Sequence, residues 1–442
     1  LEDRSNVLKK IIALRKQSNF RKYFANTSWI LGERISRMGV SLFVGIYVAR
    51  YLGPERFGLL SYASSFVGIF VALATLGLDE VVVRELVKTP EQRERILGTS
   101  FLLKLVGTLL MWAAILVAIP FTENDSQTNI LIIIIAFGVL FQAFNVIDLS
   151  FQADVKSKYV VHAQFVQLII SSIVKIILVF NEAPLIWFAS VFFLDAIVLA
   201  LGLVFTYLHN SNKIFSWKWS YETSKNLLHD SWPLIFAGIV VSVYMKIDQL
   251  MIKEMLGAKE VGLYAAAVKL SEAWYFIPMA IASSLYPAII NARNFQKEVY
   301  YQKIQNLFDL MVWIAVSIAL PTTFLSTLIV EFLYGKEYLG SSSVLIIHIW
   351  TGVFVFLGVA SSKYLLAENF IKKTFYRTFI GALLNIIMNY YLIRIIGIEG
   401  AAISTLFSHF FAAYLYDFFD KDLRNMFIFK TKSLFFYRLY AK

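Results

Sequence analysis

The sequence predicts an all-α membrane protein of twelve transmembrane helices, arranged as two pseudo-symmetric six-helix lobes around a central cavity. Three observations predict this. The 442 residues are 58% hydrophobic and only 16% charged, with a mean hydropathy of +0.66, values that a water-soluble domain rarely approaches. Twelve apolar stretches recur along the chain, each long enough to cross about 30 Å of hydrocarbon. A short motif around Gly53 returns 204 residues later.

Residues 1–25 form a basic arm with Arg4, Lys9, Lys10, Arg15, Lys16, Arg21 and Lys22. Leu8, Ile11, Ile12 and Leu14 would let it lie on the membrane surface as an amphipathic helix; a plain tail is the alternative. No apolar core precedes residue 26, so no cleavable leader is expected. The N-terminal lobe, 26–208, holds spans near 26–50, 57–78, 96–120, 129–151, 159–180 and 184–208. A polar linker occupies 209–230. The C-terminal lobe, 231–419, holds spans near 231–252, 262–289, 307–333, 343–367, 374–396 and 398–419. Gly397 and Gly400 mark the turn between the last two, and a basic tail fills 420–442.

Charge placement tests this map. Of the 41 Lys and Arg residues, 28 fall on the face shared by the two termini, 6 on the other face and 7 within spans. By the positive-inside rule both termini are cytoplasmic. The same placement explains the net charge of +11 without nucleic acid. With no cysteine and no two of the five histidines at ligand spacing, neither a disulfide framework nor a metal site or other cofactor is expected. The loops of the other face are short, so no extramembrane catalytic domain is expected, and no GxxxxGK[ST] loop is present to hydrolyse ATP.

The repeat pairs the two lobes. Leu52, Gly53, Gly58, Leu59 and Ala63 recur as Leu256, Gly257, Gly262, Leu263 and Ala267. A weaker match sets 152–158 over 366–372, before the fifth span of each half. Spans one and seven run in the same direction, so the halves are parallel repeats about an axis along the membrane normal, with the cavity between them.

Ionisable groups inside spans are costly and mark polar interiors. The first span carries Glu33, Arg34 and Arg37, the eighth Lys269 and Glu272, the sixth Asp195 and the third Lys104. Arg34 and Arg37 share one helix face, while Glu33 and Arg37, four apart, are spaced to pair. Glu33, Asp195 and Glu272 are candidate cavity or ion-coupling acids. Lys104 either faces the cavity or reaches back to the interface. Lys175, Lys246 and Lys363 lie near span ends, where snorkelling accounts for them; Asp79, Asp148 and Asp248 read as cap or interface residues. Pro278, Pro287 and Pro321 are candidate kinks.

The run Ala49 to Gly58 (ARYLGPERFG), with Leu76 to Asp79 (LGLD), Val83 to Glu85 (VRE) and Gly397 to Thr405 (GIEGAAIST), resembles the polysaccharide-export, O-antigen flippase branch of the multidrug/oligosaccharidyl-lipid/polysaccharide superfamily. The resemblance covers nearly the whole chain. It implies a transporter of the bacterial inner membrane that moves undecaprenyl-diphosphate-linked oligosaccharide by alternating access. Membrane lipids and polysaccharide polymerase machinery are the implied partners, and an ion gradient or the membrane potential is the implied drive. For such cargo Arg34 and Arg37 are the leading diphosphate ligands, because a guanidinium binds phosphate bidentately, with Lys104 and Lys269 beside them. Trp29, Trp274 and Tyr275 are candidates for stacking on sugars. A drug or cation antiporter of the same fold is the alternative; the seven in-span cations against three midspan acids favour anionic cargo. A membrane glycosyltransferase or polymerase would need a large outward loop. The acidic pair Asp420 and Asp422 reads as a solvated helix end.

Overall fold

The computed structural model of the protein describes residues 18–210, 212–295, 297–368 and 370–435. The surface helix expected from Leu8 to Leu14 lies outside the described residues, as does the end of the basic tail.

Among the described residues all regular structure is helical. In hydrocarbon each backbone N–H and C=O must bond within its own segment, and long apolar runs achieve this as helices. In chain order they are α1 (Ser18–Thr75), α2 (Leu78–Lys88), α3 (Arg93–Ala118), α4 (Ser126–Gly138), α5 (Val146–Ala153), α6 (Lys158–Phe180), α7 (Leu185–His209), α8 (Tyr221–Leu256) and α9 (Ala258–Glu272). There follow α10 (Phe276–Phe295), α11 (Lys297–Tyr334), α12 (Ser341–His348), α13 (Thr351–Ala367), α14 (Ile371–Ile396), α15 (Ile398–Phe410), α16 (Tyr416–Phe419) and α17 (Arg424–Leu434).

Nine helical stretches among the described residues are long and apolar enough to cross a membrane, against the twelve expected. One of the nine, Gly32–Lys88, contains two expected spans, because α1 is two helices joined across Gly53. The expected eighth span is interrupted by the turn at Ala273, Trp274 and Tyr275. The expected twelfth contains a π-helical turn, Phe411–Leu415. Neither is among the nine. Two expected loops are helical instead. The segment after the second span forms α2, which buries Leu78, Val81, Val82 and Leu86 on one face. Most of the second half of the linker is the first part of α8, whose Leu227 packs with Leu78 and Tyr207 of the first half. The helix α17 occupies part of the expected tail.

The repeated motif has one conformation in both halves. Gly53 (φ 69°, ψ 169°) breaks α1 and Gly257 (φ 100°, ψ 175°) separates α8 from α9. Glycine alone adopts such angles without strain. The following helices then pack against each other. A methyl added to Gly58 would lie 1.8 Å from the carbonyl oxygen of Ala258, and one added to Gly262 would lie 1.9 Å from that of Pro54. Hydrogen bonds extend the seam: Tyr338 Oη donates to Ala49 O at 2.7 Å, Tyr62 Oη to Glu254 Oε1 at 3.1 Å and Ser65 Oγ to Gln249 Oε1 at 2.9 Å. One apolar core therefore runs through both halves at this end, while a second belongs to the second half alone.

Candidate functional site

Below the seam the helices diverge around a cavity of about 450 Å³, walled by α1, α6 and α7 of the first half and α8 and α9 of the second. Its wall is rich in hydroxyl and amide groups, with Ser41, Ser61, Ser64, Ser171, Gln167 and Gln249 among them. Four cations line it, Arg37, Lys175, Lys246 and Lys269, against two acids, Asp195 and Glu272.

Helix spacing fixes the first of these. Arg37 pairs with Glu33 one turn earlier, donates from Nη1 to Gln167 Oε1 at 3.0 Å and from Nη2 to the Gln164 carbonyl at 3.3 Å. The guanidinium thus ties α1 to α6 while its side chain keeps 35% exposure towards the cavity. Further along α6, Lys175 Nζ sits 3.6 Å from Asp195 and donates to Ser171 Oγ at 2.8 Å. The side chains of Lys246, Lys269 and Glu272 form no hydrogen bond or salt bridge among the described residues. Lys269 lies against Gly45, where the lack of a side chain leaves room for its ammonium. Two cations on the wall are therefore unneutralised by direct contact, and this makes the space receptive to an anion.

Several expectations are revised. Arg34 is exposed and stands off the cavity wall. Lys104 also stands off it: buried at 3% exposure, it donates to Asp79 at 2.6 Å in a separate small pocket. Lys175 and Lys246, expected to snorkel, line the cavity instead, and Asp195 has a cation from the neighbouring helix. Lys363 lies 5.4 Å from the Tyr286 ring centroid. Trp29 packs on His162, and neither it nor Trp274 lines the main cavity. Pro278 sits in the first turn of α10, just after the turn that splits the eighth span. Asp420 and Asp422 both accept from Lys373, at 2.5 and 2.6 Å, rather than standing free in water.

The sequence reading missed a second polar cluster. Asp248, expected near a span end, is buried at 6% exposure and accepts from Tyr264 Oη at 2.7 Å, Asn389 Nδ2 at 2.6 Å and Thr405 Oγ1 at 2.6 Å. It adjoins a small cavity of about 20 Å³ that also touches His348, His409, Gln249 and Glu272. Gln249 and Glu272 line both cavities. Asn385 and Asn389, one turn apart inside an apolar span, were the available signal. No group of three or more His, Asp or Glu able to hold a metal occurs among the described residues.

Comparison with known proteins gives these features a family. The model of the family described as "Polysaccharide biosynthesis protein" matches residues 23–293, and that described as "MatE" matches 233–391. A Shigella flexneri protein described as an O-antigen transporter is 22% identical over 66% of this chain and 72% of its own. A Haloferax volcanii protein described as a low-salt glycan biosynthesis flippase is 23% identical over 89% and 80%. Among solved structures, an inward-facing multidrug resistance MATE family transporter of the MOP superfamily aligns with a TM-score of 0.72 at 16% identity, covering 90% of this chain and 96% of that one. The lipid II flippase MurJ aligns with a TM-score of 0.56 at 15% identity, covering 93% and 90%. The fold is that of the MOP superfamily, here the multidrug/oligosaccharidyl-lipid/polysaccharide superfamily named above. The chain is a multi-pass membrane transporter of the flippase type rather than an enzyme, and it belongs to the polysaccharide biosynthesis protein family.

Proposed function

We propose that the protein moves an undecaprenyl-diphosphate-linked oligosaccharide, an O-antigen or related surface-polysaccharide repeat unit, across the bacterial inner membrane by alternating access. The observation that carries this reading is the cavity wall: Lys246 and Lys269 lack direct counter-ions, Arg37 keeps an exposed edge, and hydroxyl and amide groups surround them. Cationic groups suit the diphosphate, and the hydroxyl and amide groups suit the sugars. The polyprenyl tail stays in lipid.

In this reading both termini are cytoplasmic, so the seam at Gly58 and Gly262 closes the periplasmic end and cargo enters from the cytoplasm. The diphosphate competes with Glu33 for Arg37 and with Asp195 for Lys175, so the internal pairs open as cargo binds. An ion gradient or the membrane potential drives the cycle. Glu272 lines the main cavity and the small one, so an ion or proton taken up at the small cavity is sensed at the cargo site through that carboxylate. A polymerase acting on the delivered repeat unit is the natural partner.

A drug or cation antiporter needs the opposite balance of charge in the cavity. The deciding experiment is surface-glycan display in a deletion strain complemented with wild type or with Lys246→Gln/Lys269→Gln. Loss of display on deletion, rescue by wild type and failure of the double variant at equal membrane abundance support the proposal; normal display in the deletion strain overturns it.

A further inference from the structure

The connection between the lobes, over 212–220, is fixed to the first half. Lys218 N donates to Glu94 O at 3.1 Å, and Ser220 N to Thr99 Oγ1 at 3.1 Å. Gly98 permits this approach, since a methyl there would lie 2.7 Å from the backbone nitrogen and oxygen of Lys218. Trp217 turns inward: its Nε1 donates to Tyr207 Oη at 3.3 Å, and its ring centroid lies 5.6 Å from that of Phe101 and 5.8 Å from that of Tyr207. Phe101 and Tyr207 belong to α3 and α7, two of the membrane-crossing helices. The linker is thereby held at the level of the membrane boundary.

Ile214 also packs against the first-half core, while three aromatic rings face outward. Phe215 is fully exposed at 101%, Tyr221 is 71% exposed and Trp219 57%. Lys213, Lys218 and Lys225 are exposed among them. Over 93–99 and 213–225 the exposed charges are Lys213, Lys218, Lys225 and Arg95 against Glu94 and Glu222, a positive balance. A pinned backbone that projects three rings between lysines matches a bilayer interface. Aromatic rings settle at headgroup depth, and ammonium groups are attracted to an anionic leaflet within about a Debye length.

We propose that residues 213–221 are an anchor for anionic phospholipid headgroups, carried rigidly by the first lobe. The rings enter the headgroup region and the lysines engage the lipid phosphates. Hydrogen bonds to Glu94 and Thr99 of α3 hold the anchor to the first lobe, and at its other end Ser220 caps α8, whose Leu227 packs on the same lobe.

The chain has no cysteine, so Phe215→Cys introduces a single site for a nitroxide in these 442 residues. Its collision rates with oxygen and with a water-soluble nickel chelate are read by electron paramagnetic resonance. The protein is placed in vesicles of phosphatidylglycerol with phosphatidylethanolamine and in vesicles of phosphatidylcholine alone. The expected result is an oxygen-to-nickel ratio several-fold higher in the anionic vesicles, returned to the phosphatidylcholine value by Lys213→Ser/Lys218→Ser. Full access of the nickel chelate in both vesicle types overturns the anchor. Equal protection in both overturns the choice of anionic lipid. Trp219→Cys reports the same depth if the first variant does not reconstitute.

Discussion

Gly58 and Gly262, equivalent residues of the two repeats, meet across the axis that relates them, each packed on backbone of the other half. A methyl on either would lie within 2 Å of a carbonyl oxygen, 1.8 Å for Gly58 and 1.9 Å for Gly262. Backbone cannot yield as a flexible side chain does, so the seam closes only where a side chain is missing. Gly58→Ala is therefore expected to destabilise the closed seam by about 1–3 kcal/mol, the usual cost of overpacking. In the cysteine-free chain, Ser64→Cys on the cavity wall reports the outcome. A membrane-impermeant maleimide added from the seam side leaves it unlabelled in the parent and labels it with Gly58→Ala or Gly262→Ala. Equal labelling with and without the alanine contradicts the seal.

Arg37 both ties α1 to α6 and faces the cavity. Arg37→Ala removes a charge-assisted contact to an anionic cargo, worth about 1.5–3 kcal/mol, and transport in reconstituted vesicles should fall by about tenfold or more. Arg37→Lys keeps the charge but not the planar fork that reaches Gln167 and the Gln164 carbonyl, and should recover only part of the rate. Unchanged transport by Arg37→Ala removes this residue from the cargo site.

How far these features were legible in the sequence depends on the residue. The pairing of Glu33 with Arg37 followed from spacing alone, because one helical turn fixes which side chains meet. Lys246 was placed wrongly because hydropathy locates a span's edge from composition; α8 runs on to Leu256 and holds Lys246 within the bundle. Lys104 could not be assigned, since α3 is apolar on most sides and its rotation is set by packing with Asp79 from another helix. The break at Ala273 to Tyr275 carries no glycine or proline of its own. Its signal was Pro278 just downstream, which costs no hydrogen bond in a first turn, whereas Pro321 inside α11 and Pro233 inside α8 leave their helices unsplit. Asp248 lay hidden because its partners, Tyr264, Asn389 and Thr405, come from three other helices.

Asp248 accepts three hydrogen bonds; without the carboxylate Thr405 can still donate to the Ala401 carbonyl and Tyr264 to Thr405, but one N–H of Asn389 loses its acceptor. Asp248→Ala should therefore lower the thermal unfolding midpoint of the purified protein through an unsatisfied-donor cost of about 1–3 kcal/mol at Asn389. Asp248→Asn keeps the shape but turns an amide towards the same donors, and should fall between wild type and alanine. A midpoint unmoved by Asp248→Ala contradicts the cluster as drawn.

Lys430 and Asp417 form a fully buried ion pair at 2.5 Å that fastens α17 beneath the second lobe, and Lys430 also donates to the Ala413 carbonyl in the π-turn at 2.5 Å. Removing one partner strands a buried charge. Lys430→Met should cost about 3–5 kcal/mol, and Lys430→Met/Asp417→Leu should recover only part of it, since the double variant replaces the pair by apolar groups but takes the Asp417 carboxylate from the buried Arg377 guanidinium. Thermal unfolding of the two variants in one detergent decides this. Equal loss in both variants contradicts the stranded-charge account.

The central claim is that the cavity attracts a lipid-linked diphosphate, and the most direct measurement is the affinity of the purified protein for undecaprenyl diphosphate compared with undecaprenol. The account predicts binding of the diphosphate at least about tenfold tighter, with most of the difference removed by Lys246→Gln/Lys269→Gln; one charge-assisted contact supplies that much. Equal affinity for the two lipids, or a preference that survives the double variant intact, would contradict it.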